Sequence, residues 1–232
     1  VSDMQDIPLQ LDQVSVRHGG ATGRCVLDAV DLTLAPGERL CILGESGAGK
    51  TTLLELISGF RRPDAGRVRL FGMDPARAAD SLRSRLRRQR MGFMFQDYAL
   101  IEHLTAAANI ALPLRLDGMA ASAAHRHALE RLADLGLSHL AAVSASALSG
   151  GEKQRVAFAR ATVHTPGLIL ADEPTGSLDP ATGAEILRLI LARDADAGRS
   201  VVVVTHNHAH CPHFDRVLVL RGGHLAEAGA PA

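Results

Sequence analysis

The run Gly44-Glu45-Ser46-Gly47-Ala48-Gly49-Lys50-Thr51-Thr52 has the spacing G-x-x-x-x-G-K-[ST]. It stands between the apolar segment Leu40-Cys41-Ile42-Leu43 and the helix-like Leu53-Leu54-Glu55-Leu56-Ile57. Glycines at these positions let the backbone curl so that successive N–H groups converge on phosphate oxygens, and a helix beginning there adds the positive end of its dipole. In such a loop Lys50 neutralises the β- and γ-phosphates of a nucleotide and the Thr51 hydroxyl ligates Mg²⁺. A glycine-rich turn with a chance Lys-Thr pair is the plainer alternative, but it does not explain why both flanks fit the strand and helix the motif requires.

A second place for chemistry is Asp172-Glu173, at the end of the apolar run Leu168-Ile169-Leu170-Ala171. A carboxylate at the tip of a buried strand can supply an oxygen to Mg²⁺, and Asp172 fits that role. Glu173 would then face the γ-phosphate and polarise an attacking water. An acidic strand end that merely caps a helix remains the competing reading. His206, His208, His210, Cys211 and His213 also crowd together. In an extended segment residues two apart share a face, which makes a zinc site sterically conceivable, but short His-rich tracts are weak compositional signals.

The elements that must hold these residues are those of an α/β protein. Leu9 to Val16 alternates apolar and polar residues as a half-buried strand does, and the segment from Arg17 to Gly23 reads as a turn. A strand over roughly Val26 to Leu34, a turn at Ala35-Pro36-Gly37-Glu38 and another alternating run at Arg67-Val68-Arg69-Leu70-Phe71 place antiparallel strands beside the nucleotide-binding strand. Met91-Gly92-Phe93-Met94-Phe95-Gln96 is a short apolar strand ending in Gln. Between Leu104 and about Ser146 the composition shifts to Ala, Leu and His with helical spacing, which predicts a small helical lobe. The last third predicts a helix from Ala181 to Ala192 and strands at Val201 to Val204 and Val217 to Leu220. Continuous apolar runs such as these mark strands buried on both faces of a parallel sheet. The arginine-rich Ser81 to Arg90 predicts a helix with a basic face, either simply solvated or docking an acidic partner or lipid headgroup.

A chain of 232 residues, 47% hydrophobic, can bury one substantial core. Lys+Arg and Asp+Glu both number 25, so the overall charge gives no argument for nucleic acid as a partner. Cys25, Cys41 and Cys211 are scattered without C-x-x-C spacing and read as free thiols in a reducing compartment. No apolar stretch reaches the roughly eighteen residues of a membrane span, and the first residues have no signal-peptide pattern, so any membrane is expected to be spanned by another chain.

Leu148-Ser149-Gly150-Gly151-Glu152-Lys153-Gln154-Arg155 lies between the phosphate loop and Asp172-Glu173. It resembles the signature of the ATP-binding cassette (ABC) ATPases, LSGGQ or LSGGE, where a glycine turn before a helix would be the bland reading. The resemblance extends over roughly residues 9 to 228. It implies a RecA-like P-loop core with an N-terminal antiparallel β-subdomain (about 7–95 and 160–232 together) and an inserted α-helical subdomain (about 98–159). It also implies roles. Leu148 to Glu152 would grip the γ-phosphate of a nucleotide held by a second copy. Gln96 matches the Q-loop, contacting Mg²⁺ and water; Ser177-Leu178-Asp179 matches the D-loop across the dimer; His206 matches the switch histidine. The aromatic residue that usually stacks on adenine falls at His18, whose smaller imidazole offers less π-surface.

Ala171-Asp172-Glu173-Pro174-Thr175-Gly176-Ser177-Leu178-Asp179 is similar to the corresponding string of the LolD/MacB/FtsE subgroup, as are Phe95 to Leu100 and Asn109 to Leu114. The implied protein is an ATP- and Mg²⁺-dependent homodimer at the cytoplasmic face of the inner membrane, peripheral through a transmembrane permease of FtsX- or MacB-like kind. Lipid or lipoprotein extraction or export, FtsE-like signalling without transport, and import are the functions this subgroup and its relatives suggest. The end at Ala232, lacking an importer-type regulatory tail, favours a short cassette paired with a permease. A GTPase is disfavoured by the absence of an N-K-x-D segment.

Overall fold

The computed structural model describes residues 7–19, 23–192 and 198–228. Residues 20–22 of the turn expected after the first strand lie outside these. The chain divides into two compact units, Val1–Arg87 with Arg193–Ala232, and Arg88–Ala192.

In the first unit, β1 (Leu9–His18), β2 (Arg24–Leu34) and β4 (Ala65–Leu70) form an antiparallel sheet in the order β2-β1-β4. Their alternation is the expected one: Leu9, Leu11, Val14 and Val16 are buried. Each such side chain contributes about 1.5–3 kcal/mol by leaving water. The β1–β2 register slips between Leu11 and Val16. There Gln13 and Ala29 take positive φ, and the Ala29 N–H donates to Ser15 Oγ at 2.9 Å in place of a ladder bond.

The same unit holds β3 (Arg39–Leu43), β7 (Ser200–Thr205) and β8 (Arg216–Arg221), with β3 paired in parallel to both neighbours. Every residue of β7 is buried, which is why it reads as an unbroken run of valines. A final strand, β9 (His224–Glu227), pairs antiparallel with β8 and carries no apolar run that would have announced it. Helix α1 (Lys50–Ile57) follows β3 directly after the glycine loop and buries Leu53, Leu56 and Ile57.

In the second unit, β5 (Met91–Met94) and β6 (Leu168–Asp172) pair in parallel. The β5 strand stops before Phe95 and Gln96, shorter than the apolar run predicted. Gly92 is needed here, because a Cβ at this position would meet the Ala161 carbonyl oxygen at 2.2 Å. The helical lobe consists of α3 (Ala106–Leu116), α4 (Ala121–Asp134) and α5 (Gly150–Thr162), followed after β6 by α6 (Pro180–Leu191). Its core mixes Ile110, Leu114, Leu132 and Leu148 with Ala107, Ala111, Ala124, Ala128 and Ala159. The small side chains bring helix axes close, and the leucines fill the remaining grooves. Asn109, fully buried on α3, donates to Ile101 O and accepts from the Ile101 N–H, pinning the chain that leads into the lobe.

Helix α2 (Asp80–Arg90) begins one residue earlier than predicted and buries only Leu86. Its Arg87 lies 4.3 Å above the Phe60 ring and donates to Gly59 O. None of the described helices is long and apolar enough to cross a membrane.

Candidate functional site

The glycine loop is built as its sequence requires. Gly47 and Gly49 have φ of 79° and 104°, which residues with a Cβ rarely adopt. A Cβ on Gly49 would also lie 3.0 Å from Val26 Cγ1, so β2 packs directly against the loop. Gly49 caps α1 without any side-chain hydrogen bond, leaving the first-turn N–H groups of the helix to an anion. Lys50 folds back over the loop, its Nζ donating to Gly44 O at 2.6 Å. A Cβ on Gly44 would be 3.3 Å from the Lys50 stem, so the lysine lies in the groove that this glycine opens. Glu45, Ser46 and Thr51 are exposed and Ala48 half-buried, with the Ala48 N–H closing a turn on Glu45 O.

His18, at the end of β1, stands with a ring nitrogen 3.3 Å from Thr52 Oγ1, and Thr52 is buried. The histidine is thus beside the phosphate loop. His206 follows β7 and is exposed. The Gly44 N–H donates to Thr205 O at 3.2 Å, which ties the start of the loop to the residue just before His206. The segment His208–His213 is a 3₁₀ turn rather than extended chain, because Asn207 Oδ1 accepts from the Ala209 N–H and caps it. The shared-face geometry expected for zinc is therefore absent. Among the described residues no group of His, Cys, Asp or Glu side chains is arranged to hold a metal.

In the second unit Asp172 is the last residue of β6, and Glu173 is 8% exposed with φ of +44°. A glutamate in the left-handed region costs on the order of 1 kcal/mol, a strain characteristic of positions where side-chain direction matters more than backbone comfort. The following turn is closed by the Gly176 N–H on Glu173 O.

Residues 148–152 lie at the start of α5, which begins at Gly150, inside the motif itself. Ser149 is its N-cap, with Leu148 buried behind it. Glu152 Oε2 accepts from both the Ser149 N–H and its hydroxyl at 2.8 Å, while Ser149 Oγ accepts from the Glu152 N–H. These Ser149 donors, the backbone one foremost, hold the Glu152 carboxyl below its ordinary range. Gly151 admits Thr182, whose Cγ2 would come within 2.9 Å of a Cβ there. Asp179 caps α6 through the Ala181 and Thr182 N–H groups, and the Thr182 bonds lower its carboxyl most.

Gln96 is exposed in the loop after β5. Two residues on, the Tyr98 hydroxyl lies 2.9 Å from Ser177 Oγ and would be 3.2 Å from a Cβ on Gly150. Arg160 donates to the Tyr98 and Ala99 carbonyls, both residues having positive φ. Tyr98 thereby joins the loop after β5, the start of α5 and the loop after β6.

Gln154 is a second residue that motif reading passes over. It is 1% exposed, and its Nε2 donates to Pro174 O, immediately after Glu173. Its signal is present in the sequence: Gln154, Ala157, Phe158 and Ala161 form one i, i+3, i+4, i+7 stripe, and a polar residue on such a stripe needs a buried partner.

The family model for the ABC transporter matches residues 27–176. The lipoprotein-releasing system ATP-binding protein LolD of Legionella pneumophila (strain Paris) is 41% identical over 223 residues, 96% of this chain and 98% of that one. The LolD of Ruegeria sp. (strain TM1040) is 42% identical over 226 residues, 97% of this chain and all of that one. Among solved structures, the dimeric structure of MJ0796, a bacterial ABC transporter cassette, matches with a TM-score of 0.85 at 34% identity, covering 94% of this chain and 98% of that one. A dimeric post-hydrolysis structure of the same cassette, bound to ADP and Pi, matches with a TM-score of 0.84, also at 34% identity and the same coverage.

Proposed function

Because this chain belongs to the ABC transporter family, as an ATP-binding cassette with the α/β P-loop fold and ATPase activity, we propose that two copies close head-to-tail on ATP and drive a separate membrane permease. The observation that carries the nucleotide reading is the loop Gly44 to Gly49, with its uncapped helix and overlying Lys50. Lys50 and the loop N–H groups bind the phosphates of ATP. Ser149, Gly150 and Gly151 at the start of α5 grip the γ-phosphate held by the other copy, with Ser177 and Asp179 at the shared seam. His18 lies at the adenine end.

Mg²⁺ suits the oxygen donors of Thr51, Asp172 and Gln96, which are hard ligands of the kind this ion takes. When bound it supplies charge neutralisation to the phosphates. Glu173 orients and polarises the attacking water, its direction set by the left-handed backbone, and His206 contacts the γ-phosphate side. The driving force for closure is the higher affinity of the closed dimer for ATP, and hydrolysis reopens it.

The names of the LolD relatives support lipoprotein release, and the likeness of Ala171 to Asp179 to the LolD/MacB/FtsE string supports an FtsX- or MacB-like permease with this chain at the cytoplasmic face of the inner membrane. We take residues 98–159 as the helical subdomain that meets that permease together with Gln96.

The test is Glu173→Gln in the full chain. It should lower hydrolysis by about 10²-fold or more while Mg-ATP drives a dimer visible by sedimentation. Hydrolysis at the wild-type rate would remove Glu173 from its role. A variant that stays monomeric at saturating Mg-ATP, alone and with its co-purified permease, would overturn the closure reading. The cargo is tested by reconstituting the complex in vesicles carrying a diacylated lipoprotein and measuring ATP-dependent release.

A further inference from the structure

A serine hydroxyl has one proton to donate, and in this structure the proton of Ser149 goes to Glu152 Oε2 at 2.8 Å. The same carboxylate oxygen accepts the Ser149 N–H, also at 2.8 Å, so Glu152 is fixed over the N-cap by two donors. The fixing is mutual, since the Glu152 N–H reaches back to Ser149 Oγ to complete a capping box. Gly150 and Gly151 cannot offer a replacement hydroxyl, because Tyr98 and Thr182 occupy the space their side chains would need. Ser149 thus carries the one side-chain hydroxyl among residues 148–152, and its proton is committed to Glu152.

We propose that Glu152 is a positioning residue that withholds the Ser149 hydroxyl from the γ-phosphate, and so sets the ATP concentration at which two copies close. To donate to a phosphate oxygen, the hydroxyl must rotate away from Glu152 and exchange one anionic acceptor for another. The carboxylate left behind is a negative charge at the very helix start that the phosphate approaches, and the two anions repel. Glu152 therefore opposes closure twice, by competing for the proton and by repelling the phosphate. Gln at this position keeps the capping box, since an amide oxygen also accepts the Ser149 N–H, though more weakly than a carboxylate; it carries no charge and adds a donor of its own.

The inference rests on the reading of Ser149 as the grip for the other copy's nucleotide, and the experiment separates the two. Mg-ATP is titrated against the full chain carrying Glu173→Gln, and the dimer fraction is read by sedimentation, alone and with Glu152→Gln, Ser149→Ala or both added. Thermal unfolding checks that each variant is folded; Glu152→Gln should unfold cooperatively with a slightly lowered midpoint, because the cap keeps its bonds but loses the charge the Ser149 donors favour. Glu152→Gln should lower the half-closing ATP concentration roughly three- to tenfold. Ser149→Ala should raise it, and in the Ser149→Ala background Glu152→Gln should have a smaller effect, leaving only relief of repulsion. If Ser149→Ala raises the midpoint but Glu152→Gln leaves it unchanged or raises it, the withholding role is overturned and the grip reading stands. If Ser149→Ala leaves the midpoint unchanged, the grip reading fails and the inference fails with it.

Discussion

The Tyr98 hydroxyl lies 2.9 Å from Ser177 Oγ, a bond that links the loop after β5 to the loop after β6. The contact serves no phosphate; it braces the two loops against each other. Tyr98→Phe and Ser177→Ala should each cost about 0.5–1.5 kcal/mol of unfolding free energy in denaturant titrations. The double variant should cost no more than the larger single effect. Additive losses would show that the two side chains act through different partners.

Gln154 joins the helix that carries the signature to the carbonyl of Pro174. Gln154→Ala leaves that buried carbonyl without its donor, and should destabilise the fold by about 1–3 kcal/mol. Because the neighbouring Glu173 is held in a strained backbone, the loss should also reach catalysis. We expect kcat to fall by about tenfold while ATP affinity changes less than twofold, as for a residue that positions a group without touching nucleotide. An unchanged kcat in a folded variant would limit Gln154 to packing.

Stability should depend on pH through His164. Burial lowers the pKa of its imidazole, opposed by its bond to the Met91 carbonyl, where a ring nitrogen lies 3.0 Å from the oxygen. The other ring nitrogen is buried without a hydrogen-bond partner. The folded form therefore favours neutral imidazole, and unfolding takes up a proton in acid. Stability from this group is full above the unfolded pKa of about 6.5 and declines as pH falls below it, by at most about 1.4 kcal/mol per pH unit, levelling off below the folded value. Denaturation midpoints of the wild type and His164→Phe between neutral and mildly acidic pH measure it; the variant should lack this part of the decline.

Lys50→Ala removes the ammonium that crosses the glycine loop. ATP binding, followed by a fluorescent analogue, should weaken by about 10²-fold or more, since charge-assisted bonds to phosphate are the strongest the loop makes. The fold should be retained, because the lysine is only partly buried and contacts loop carbonyls that water can also satisfy. Tight binding by a folded variant would contradict the proposed role.

The motifs were legible because each is a local solution to a local problem. Glycines at 47 and 49 answer a positive φ, a lysine and threonine open the helix, and a buried valine run leads to His206. The paired helices of the lobe could be read from alanine and leucine spacing for the same reason. What stayed hidden depends on long-range neighbours. Tyr98 matters because Ser177 arrives beside it, and Gln154 because Pro174 does, relationships across 79 and 20 residues that no window reveals. β9 lacks an apolar run because its four residues are exposed or half-buried, and its pairing comes from β8 rather than from its own composition. Helix α5 begins at the glycine pair itself because a capping box outweighs the low helix propensity of two glycines.

The hydrogen bond from the Gly44 amide to the Thr205 carbonyl has a kinetic corollary. With the main chain on both sides clamped by parallel pairing of Leu43 to Thr205, the imidazole next in line cannot be carried toward or away from its target by sliding of its own strand. In the proposed role its approach to an anion would come from side-chain torsion, which for an exposed ring takes picoseconds to nanoseconds. That swing is far quicker than any subunit rearrangement, so in the γ-phosphate role proposed for it the histidine would not be the slow step.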